Sequence, residues 1–93
     1  MEMNRMLHRL KIMEDYANSI CCGDKTFEVR YNDRNYQKGD YIEFSPVSRD
    51  GIRIIHNIEE IMFEITNVHS GLGMADGYVV LAIKRVDGEQ DGR

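Results

Sequence analysis

The chain has 93 residues, a formal net charge of −4, and 42% hydrophobic and 30% charged residues. This length supports one folded domain and leaves no room for a second core. The hydrophobic content is too high for a disordered chain, and no apolar run approaches the ~20 residues of a transmembrane helix. Basic side chains interrupt the first eleven positions, so we expect no secretory signal and a cytoplasmic protein.

The acidic excess lies entirely in the later part of the sequence. Residues 1–34 carry six basic and six acidic side chains, whereas residues 35–93 carry six basic and ten acidic ones. Non-specific binding to duplex DNA rests on a field of Lys and Arg, which this chain lacks. We therefore expect no bulk duplex binding. RNA or a nucleotide would have to be recognised by a local pocket in the neutral part.

The cysteines and histidines predict neither a disulfide nor a metal site. Cys21 and Cys22 are adjacent near the end of a predicted helix, where neighbouring side chains point about 100° apart. The three histidines show no zinc-type spacing with them. We expect no metal and no cofactor.

The first third of the chain alternates strand, helix and strand. A first strand should end near Ile12, and residues 13–22 predict a helix capped by Gly23. A second strand follows at 26–31, and residues 32–35 have turn chemistry. The helical spacing predicts one buried face made of Met13, Tyr16, Ala17, Ile20 and Cys21.

The rest of the chain predicts three or four further strands. We expect Pro46 to end the third strand and residues 49–51 to form a hairpin tip. Three glycines make residues 70–77 a loop. The tail from residue 87 has nothing to bury and should fray. The predicted strands lie at 41–44, 52–56, 61–69 and 77–86.

These elements predict an α+β fold, a small antiparallel β-barrel of five to six strands with one main helix near the N-terminus. The domain should span residues 1–86, followed by a flexible tail at 87–93. A barrel of this size is filled by its own side chains. A ligand pocket is therefore expected between barrel and helix, or at a barrel mouth.

The second strand and its flanks carry the most informative pattern. Strand alternation places Glu28 and Arg30 on one face, about 6–7 Å apart, and an apolar set on the other. Such a pattern fits a polar recognition site, and it also fits a well-solvated strand, which composition alone favours. Residues 25–34 contain five charged side chains: Lys25, Glu28, Arg30, Asp33 and Arg34.

Several segments together resemble the ASCH superfamily, in particular its small phage and bacterial branch of unknown function. The resemblance runs from His8 to about Lys84. It implies a PUA-like pseudo-barrel and an RNA-linked role. The segments that carry it are His8 to Ile12, Gly-x-Lys-x-x-Glu-x-Arg at residues 23–30, Asn32-Asp33-Arg34, Tyr36, Gly39-Asp40 and Gly77 to Val80.

The resemblance leaves three functions open. The first is an RNA- or modified-nucleotide-binding module that uses a charged cleft between helix and barrel. The second is a hydrolase of an acylated nucleoside or a ribonuclease, because some ASCH proteins use a lysine that matches Lys25. Their hydrolase pattern has threonine where this chain has Glu28, and a carboxylate there keeps the lysine protonated, which argues against catalysis. The third is a phage-type protein that binds a host protein through its acidic part.

The predicted ligand-binding residues each have a structural alternative. Lys25 could be an exposed lysine beside the helix cap, and Glu28 and Arg30 could pair only with each other. Asp33 and Arg34 could stabilise a turn. If the strands pair suitably, His8 would share a barrel mouth with Lys25, and Tyr36 could stack on a base. We expect Lys25, Glu28 and Arg30 to converge with Asp33 or Arg34 on one cleft, at least two of them within about 4 Å.

Overall fold

A computed structural model describes residues 4–86, so the predicted tail at 87–93 lies outside the described residues. Five strands form one mixed sheet in the order β1-β3-β4-β5-β2. The elements in chain order are β1 (Leu7–Met13), α1 (Glu14–Cys21), β2 (Phe27–Tyr31), β3 (Tyr41–Val47), a 3-10 helix (Asn57–Glu60), β4 (Met62–His69) and β5 (Tyr78–Arg85).

The predicted α+β class, with five strands and one α-helix, is confirmed; the sheet is mostly antiparallel, and one of its four strand pairs is parallel. β1 and β3 run parallel, and the other three pairs are antiparallel. A parallel pair needs a long crossover between its strands. Here α1 and β2 lie within that crossover, so β2 reaches the opposite edge of the sheet.

The sheet curls into a half-barrel whose two edge strands, β1 and β2, approach each other. Arg30 on β2 donates from Nη1 to the Lys11 carbonyl of β1 at 2.9 Å, which links the two edges by a side chain. The interior is filled by alternate residues of the strands, together with Ala17 and Ile20 of α1. The buried apolar side chains are Leu10, Ile12, Ala17, Ile20, Tyr36, Ile42, Phe44, Ile58, Phe63, Ile65, Val79, Leu81 and Ile83.

Two predicted boundaries in the middle of the chain are wrong. β3 continues through Pro46, because β4 pairs only with residues 41–43 and Pro46 takes part on that side through its carbonyl alone, which accepts from the Ile54 N–H at 3.2 Å. The predicted strand at 52–56 is reduced to an isolated bridge between Val47 and Arg53. The turn before it forms as expected, with Gly51 at a φ of +83°.

β2 turns its polar face inward. Glu28 and Arg30 lie opposite Leu81 and Val79 of β5, both of which face the core, so the pairing register carries the two charged side chains to the interior face. The apolar face of β2 remains outside, with exposures of 42% for Phe27, 45% for Val29 and 57% for Tyr31. Within residues 4–86, no helix is long and apolar enough to cross a membrane.

Candidate functional site

Glu28 is a nearly buried carboxylate held between two cations. Its side chain is 6% exposed. Lys25 Nζ lies 3.2 Å from Oε1, and Arg30 Nη1 lies 3.1 Å from Oε2. Burying a carboxylate costs several kcal/mol unless opposite charge and hydrogen bonds compensate for lost hydration. One cation on each oxygen supplies that compensation, so the three side chains form one charged unit, called here the Glu28 triad.

The Lys25 ammonium lies against two aromatic rings. Its Nζ is 4.1 Å from the ring centre of Tyr16 on α1 and 5.4 Å from that of Phe27 on β2. The side chain is only 16% exposed, so the alternative of a fully solvated lysine is wrong. Cation–π attraction and the ion pair together favour this position of the ammonium group. Local backbone geometry helps, because the Lys25 N–H donates to the Ser19 carbonyl at 3.0 Å.

These side chains line a cleft of about 510 Å³ between α1 and β2. This volume falls in the range of about 300–1,000 Å³ typical of small-molecule sites. Aromatic and aliphatic groups form its walls, and Lys25 and Glu28 supply a donor and an acceptor. The lining residues are Tyr16, Ser19, Asp24, Lys25, Phe27, Glu28 and Val29.

A second buried carboxylate, Asp40, lies at the start of β3 and is enclosed by hydrogen bonds. His8 Nε2 lies 2.9 Å from Oδ2, to which the Gln37 N–H also donates at 3.0 Å. The Met6 N–H donates to Oδ1 at 3.2 Å. Burial works to raise the pKa of Asp40, but these hydrogen bonds lower it on balance. Through these contacts the Asp40 carboxylate connects β1 to the turn that precedes β3.

His8 and Tyr36 belong to the Asp40 environment and not to the cleft. β1 pairs with β3 and not with β2, so the pairing that would place His8 beside Lys25 does not form. Tyr36 is 3% exposed, and its ring packs edge-on against His8 with 4.8 Å between ring centres. Its faces are therefore closed to a base, and the predicted stacking role does not fit this burial.

The Tyr36 hydroxyl is close to two guanidinium groups. Burial raises the pKa of its hydroxyl, while the nearby guanidinium groups of Arg30 and Arg34 act in the opposite direction. The Tyr36 hydroxyl thus lies near the guanidinium of Arg30, and the Tyr36 ring packs against His8.

Asp33 and Arg34 lie outside the cleft. They form a pair at 3.9 Å with side chains 64% and 45% exposed. The turn is instead stabilised by Asn32, whose Oδ1 accepts from the Tyr36 N–H at 3.1 Å. Convergence of Asp33 or Arg34 on the cleft is therefore not observed, whereas Lys25, Glu28 and Arg30 lie together at the expected distances. That these three bind a ligand stays a prediction.

No grouping of three or more His, Cys, Asp or Glu side chains suited to a metal ion occurs within residues 4–86. Cys21 and Cys22 are free thiols. Burial raises the pKa of Cys21, with Arg85 acting in the opposite direction. A raised pKa leaves little thiolate at neutral pH, so Cys21 is a poor nucleophile.

The sequence does not predict the two aromatic rings of the cleft or the structural carboxylate Asp40. Helical spacing places Tyr16 on the buried face of the helix, but it is 49% exposed, and alternation places Phe27 only on an apolar face of β2. Asp40 stands out in the sequence only within the Gly39-Asp40 segment. A signal for it was available, since His8 alternates with Leu10 and Ile12 on the inward face of β1 and a buried histidine needs a polar partner.

The comparisons with known proteins identify a family but not a function. A family model described as a domain of unknown function, DUF3850, matches residues 7–83. Since the match covers most of the chain, the protein belongs to this family. No curated protein matches the sequence at a significant level.

Proposed function

We propose that this member of the DUF3850 family binds RNA or a modified nucleotide by taking one base into the cleft between α1 and β2. The observation that carries the proposal is the placement of the Glu28 triad. A nearly buried carboxylate and an ammonium meet at a cleft whose walls include the rings of Tyr16 and Phe27.

The chemistry of a nucleobase suits this lining. The edge of a base offers hydrogen-bond donors and acceptors side by side, and its faces stack on aromatic rings. In the proposed complex Glu28 accepts from an exocyclic amino group, and Lys25 donates to a ring carbonyl or nitrogen. Arg30 keeps the Glu28 carboxylate in place through Oε2. The aromatic walls contribute about 1–3 kcal/mol where a ring stacks on the base.

A relation to the ASCH superfamily and a PUA-like fold are part of this proposal. It is supported by a small curled five-stranded sheet, a helix between the first two strands, and the Gly-x-Lys-x-x-Glu-x-Arg segment at the cleft. In that segment the lysine, the glutamate and the arginine are in direct contact.

Binding through this cleft involves few phosphate contacts, because the chain is acidic overall. Affinity for single-stranded RNA should then fall only gently as salt rises, unlike the steep loss seen in proteins with basic grooves. A steep salt dependence would indicate a different surface.

The test is a titration of nucleosides and short single-stranded RNA, followed by amide chemical shifts of the labelled protein. We expect saturable shifts at residues lining the cleft, and a loss of affinity of at least about tenfold in Lys25→Ala. Lys38→Ala, which removes an exposed lysine from a turn, is the matched control and should bind normally.

Adding an acylated cytidine to the same samples separates binding from hydrolysis, because turnover releases a new nucleoside that chromatography detects. Absence of saturable binding by the wild-type protein, or equal affinity in the wild type and Lys25→Ala, would overturn the proposed function. The protein-partner alternative, based on the acidic part of the chain, would then stand first.

A further inference from the structure

Beside the cleft lies a smaller recess of about 170 Å³, here called the basic notch. At about 30 Å³ per water molecule, this space corresponds to roughly five or six waters. Its floor consists of core side chains. The notch is lined by Ile20, Gly23, Lys25, Thr26, Phe63, Ile83, Lys84 and Arg85.

The charge of the notch is opposite to that of the chain. Three of its lining side chains are cationic and none is acidic, although the protein carries a net charge of −4. Lys84 and Arg85 are exposed at the end of β5. Among residues 4–86, neither has a carboxylate within 4 Å, in contrast to Lys25, Arg30, Arg49 and Arg53.

Among the acidic groups near the notch, Asp24 lies in sequence between two of its lining residues but lines the cleft instead, and Glu64 and Glu28 are paired with other cations. Glu64 is the register partner of Lys84 in the β4–β5 ladder, but its carboxylate lies 3.7 Å from Arg5. Glu28 is held by Lys25 and Arg30 on the other side of Lys25. Lys84 and Arg85 leave β5 on opposite faces of the sheet, and both line the notch at the end of the strand without a carboxylate partner among residues 4–86.

The notch and the cleft share one wall. Lys25 lines both, so an occupant of the cleft and an anion in the notch would lie on either side of the same side chain. Phosphate is the anion suited to such a place, since it accepts several charge-assisted hydrogen bonds from Lys and Arg at once. Thr26 adds a hydroxyl group to the lining.

We propose that the basic notch binds the phosphate of the nucleotide whose base occupies the cleft, with Lys84 and Arg85 as its ligands and Lys25 between the two subsites. This inference rests on the proposed function and refines it. The preferred ligand class is a nucleoside monophosphate, or an RNA end that bears a phosphate, and not a free nucleoside.

Calorimetric titration of cytidine, adenosine, their 5′- and 3′-monophosphates, and inorganic phosphate tests the proposal. One of the monophosphates should bind the wild-type protein at least about tenfold more tightly than its nucleoside. Raising the salt concentration should reduce this advantage, because the notch is open to solvent. The double variant Lys84→Gln/Arg85→Gln should abolish the advantage and leave nucleoside affinity within about twofold of wild type.

The matched control is Lys38→Gln/Arg49→Gln, which removes one exposed lysine and one exposed arginine away from the notch. It should keep the full phosphate advantage. If the control variant loses as much affinity for the monophosphate as the notch variant does, the loss comes from the change in overall charge, and the proposal is overturned. If Lys84→Gln/Arg85→Gln lowers the melting temperature but still binds the monophosphate more tightly than the nucleoside, these cations only stabilise the C-terminal end of α1. The proposal then also fails.

The outcomes distinguish this inference from the function on which it rests. Nucleosides that bind in the cleft with no gain from a phosphate would overturn the notch and leave the proposed function intact. A second outcome is that inorganic phosphate binds the wild type and the control but not the Lys84→Gln/Arg85→Gln variant, while no nucleoside binds at all. That result would support phosphate binding in the notch and overturn base binding in the cleft. No binding of any probe would overturn both.

Discussion

Two carboxylates are buried within residues 4–86, Asp40 and Glu28, and they are similarly hidden but differently partnered. Asp40 is 2% exposed, and its carboxylate contacts two backbone N–H groups and the ring of His8. Glu28 is 5% exposed, and its partners are two cationic side chains at the border of a cleft. Backbone donors are fixed by the fold, whereas the ends of lysine and arginine side chains can move to meet a ligand.

This difference separates a structural carboxylate from one suited to binding. Asp40 satisfies groups that the chain buries when β1 and β3 come together, so its removal should damage folding. Glu28 lies on an edge strand beside open space, and its removal should damage binding as well as stability.

The largest effect is expected for Asp40→Ala. The change leaves His8 and two backbone N–H groups buried without their acceptor, which should lower the free energy of unfolding by about 3–5 kcal/mol. This is a large share of the roughly 5–15 kcal/mol that stabilises a typical domain. Urea denaturation measures it. Asp40→Asn serves as the milder variant if Asp40→Ala does not fold, and a loss below about 1 kcal/mol in both would contradict the structural role.

A smaller loss of stability, joined to a loss of binding, is expected for Glu28→Ala. The partners Lys25 and Arg30 keep 16% and 23% of their side-chain surface exposed, so both can regain some hydration. We expect a decrease of roughly 2–3 kcal/mol in urea denaturation. If stability falls as far as in Asp40→Ala while nucleoside affinity is unchanged, the two carboxylates do not differ in the way described.

Acid should act on Asp40 through its lowered pKa. An aspartate whose pKa is lower in the folded than in the unfolded state contributes stability above its ordinary pKa of about 4. That contribution is lost as the pH falls through the folded-state value. The difference in unfolding free energy between wild type and Asp40→Asn should therefore shrink below about pH 4. A difference that stays constant from pH 6 to pH 2 would show that the ionised Asp40 adds nothing.

The smallest stability effect is expected for Lys25→Ala. An exposed lysine would contribute almost nothing, but this side chain packs on Tyr16 and Phe27 and pairs with Glu28. We expect a loss of about 1 kcal/mol in thermal or urea unfolding. Lys38→Ala, at an exposed position, should change stability by less than about 0.5 kcal/mol. Equal values for the two variants would mean that the aromatic contacts of Lys25 are not stabilising.

Sequence patterns predicted the elements near the cleft better than the orientation of β2. Alternation along residues 27–31 correctly separated two faces, but hydrophobicity alone assigns Phe27, Val29 and Tyr31 to the interior. The structure places Glu28 and Arg30 there instead, because the register with β5 sets which face is covered. A period of two is the same for both orientations, so only the long-range pairing could decide between them.

The contact between His8 and Asp40 could not be predicted from the sequence for a related reason. His8 and Asp40 are separated by 32 positions and meet only because β1 and β3 pair in parallel. Local composition contains no information about that pairing. By contrast, the grouping of Lys25, Glu28 and Arg30 within six residues was predictable, since a turn and one strand face are enough to bring them together.

The most direct test of the distinction between the two carboxylates is a comparison of Glu28→Gln with Asp40→Asn. Both remove one negative charge and keep the shape of the side chain. Titration of the best-bound nucleoside, at a temperature where both variants are folded, should show at least a tenfold loss of affinity in Glu28→Gln and a change within about twofold in Asp40→Asn. Equal losses in the two variants, or no loss in Glu28→Gln, would contradict the assignment of Glu28 to binding and Asp40 to structure.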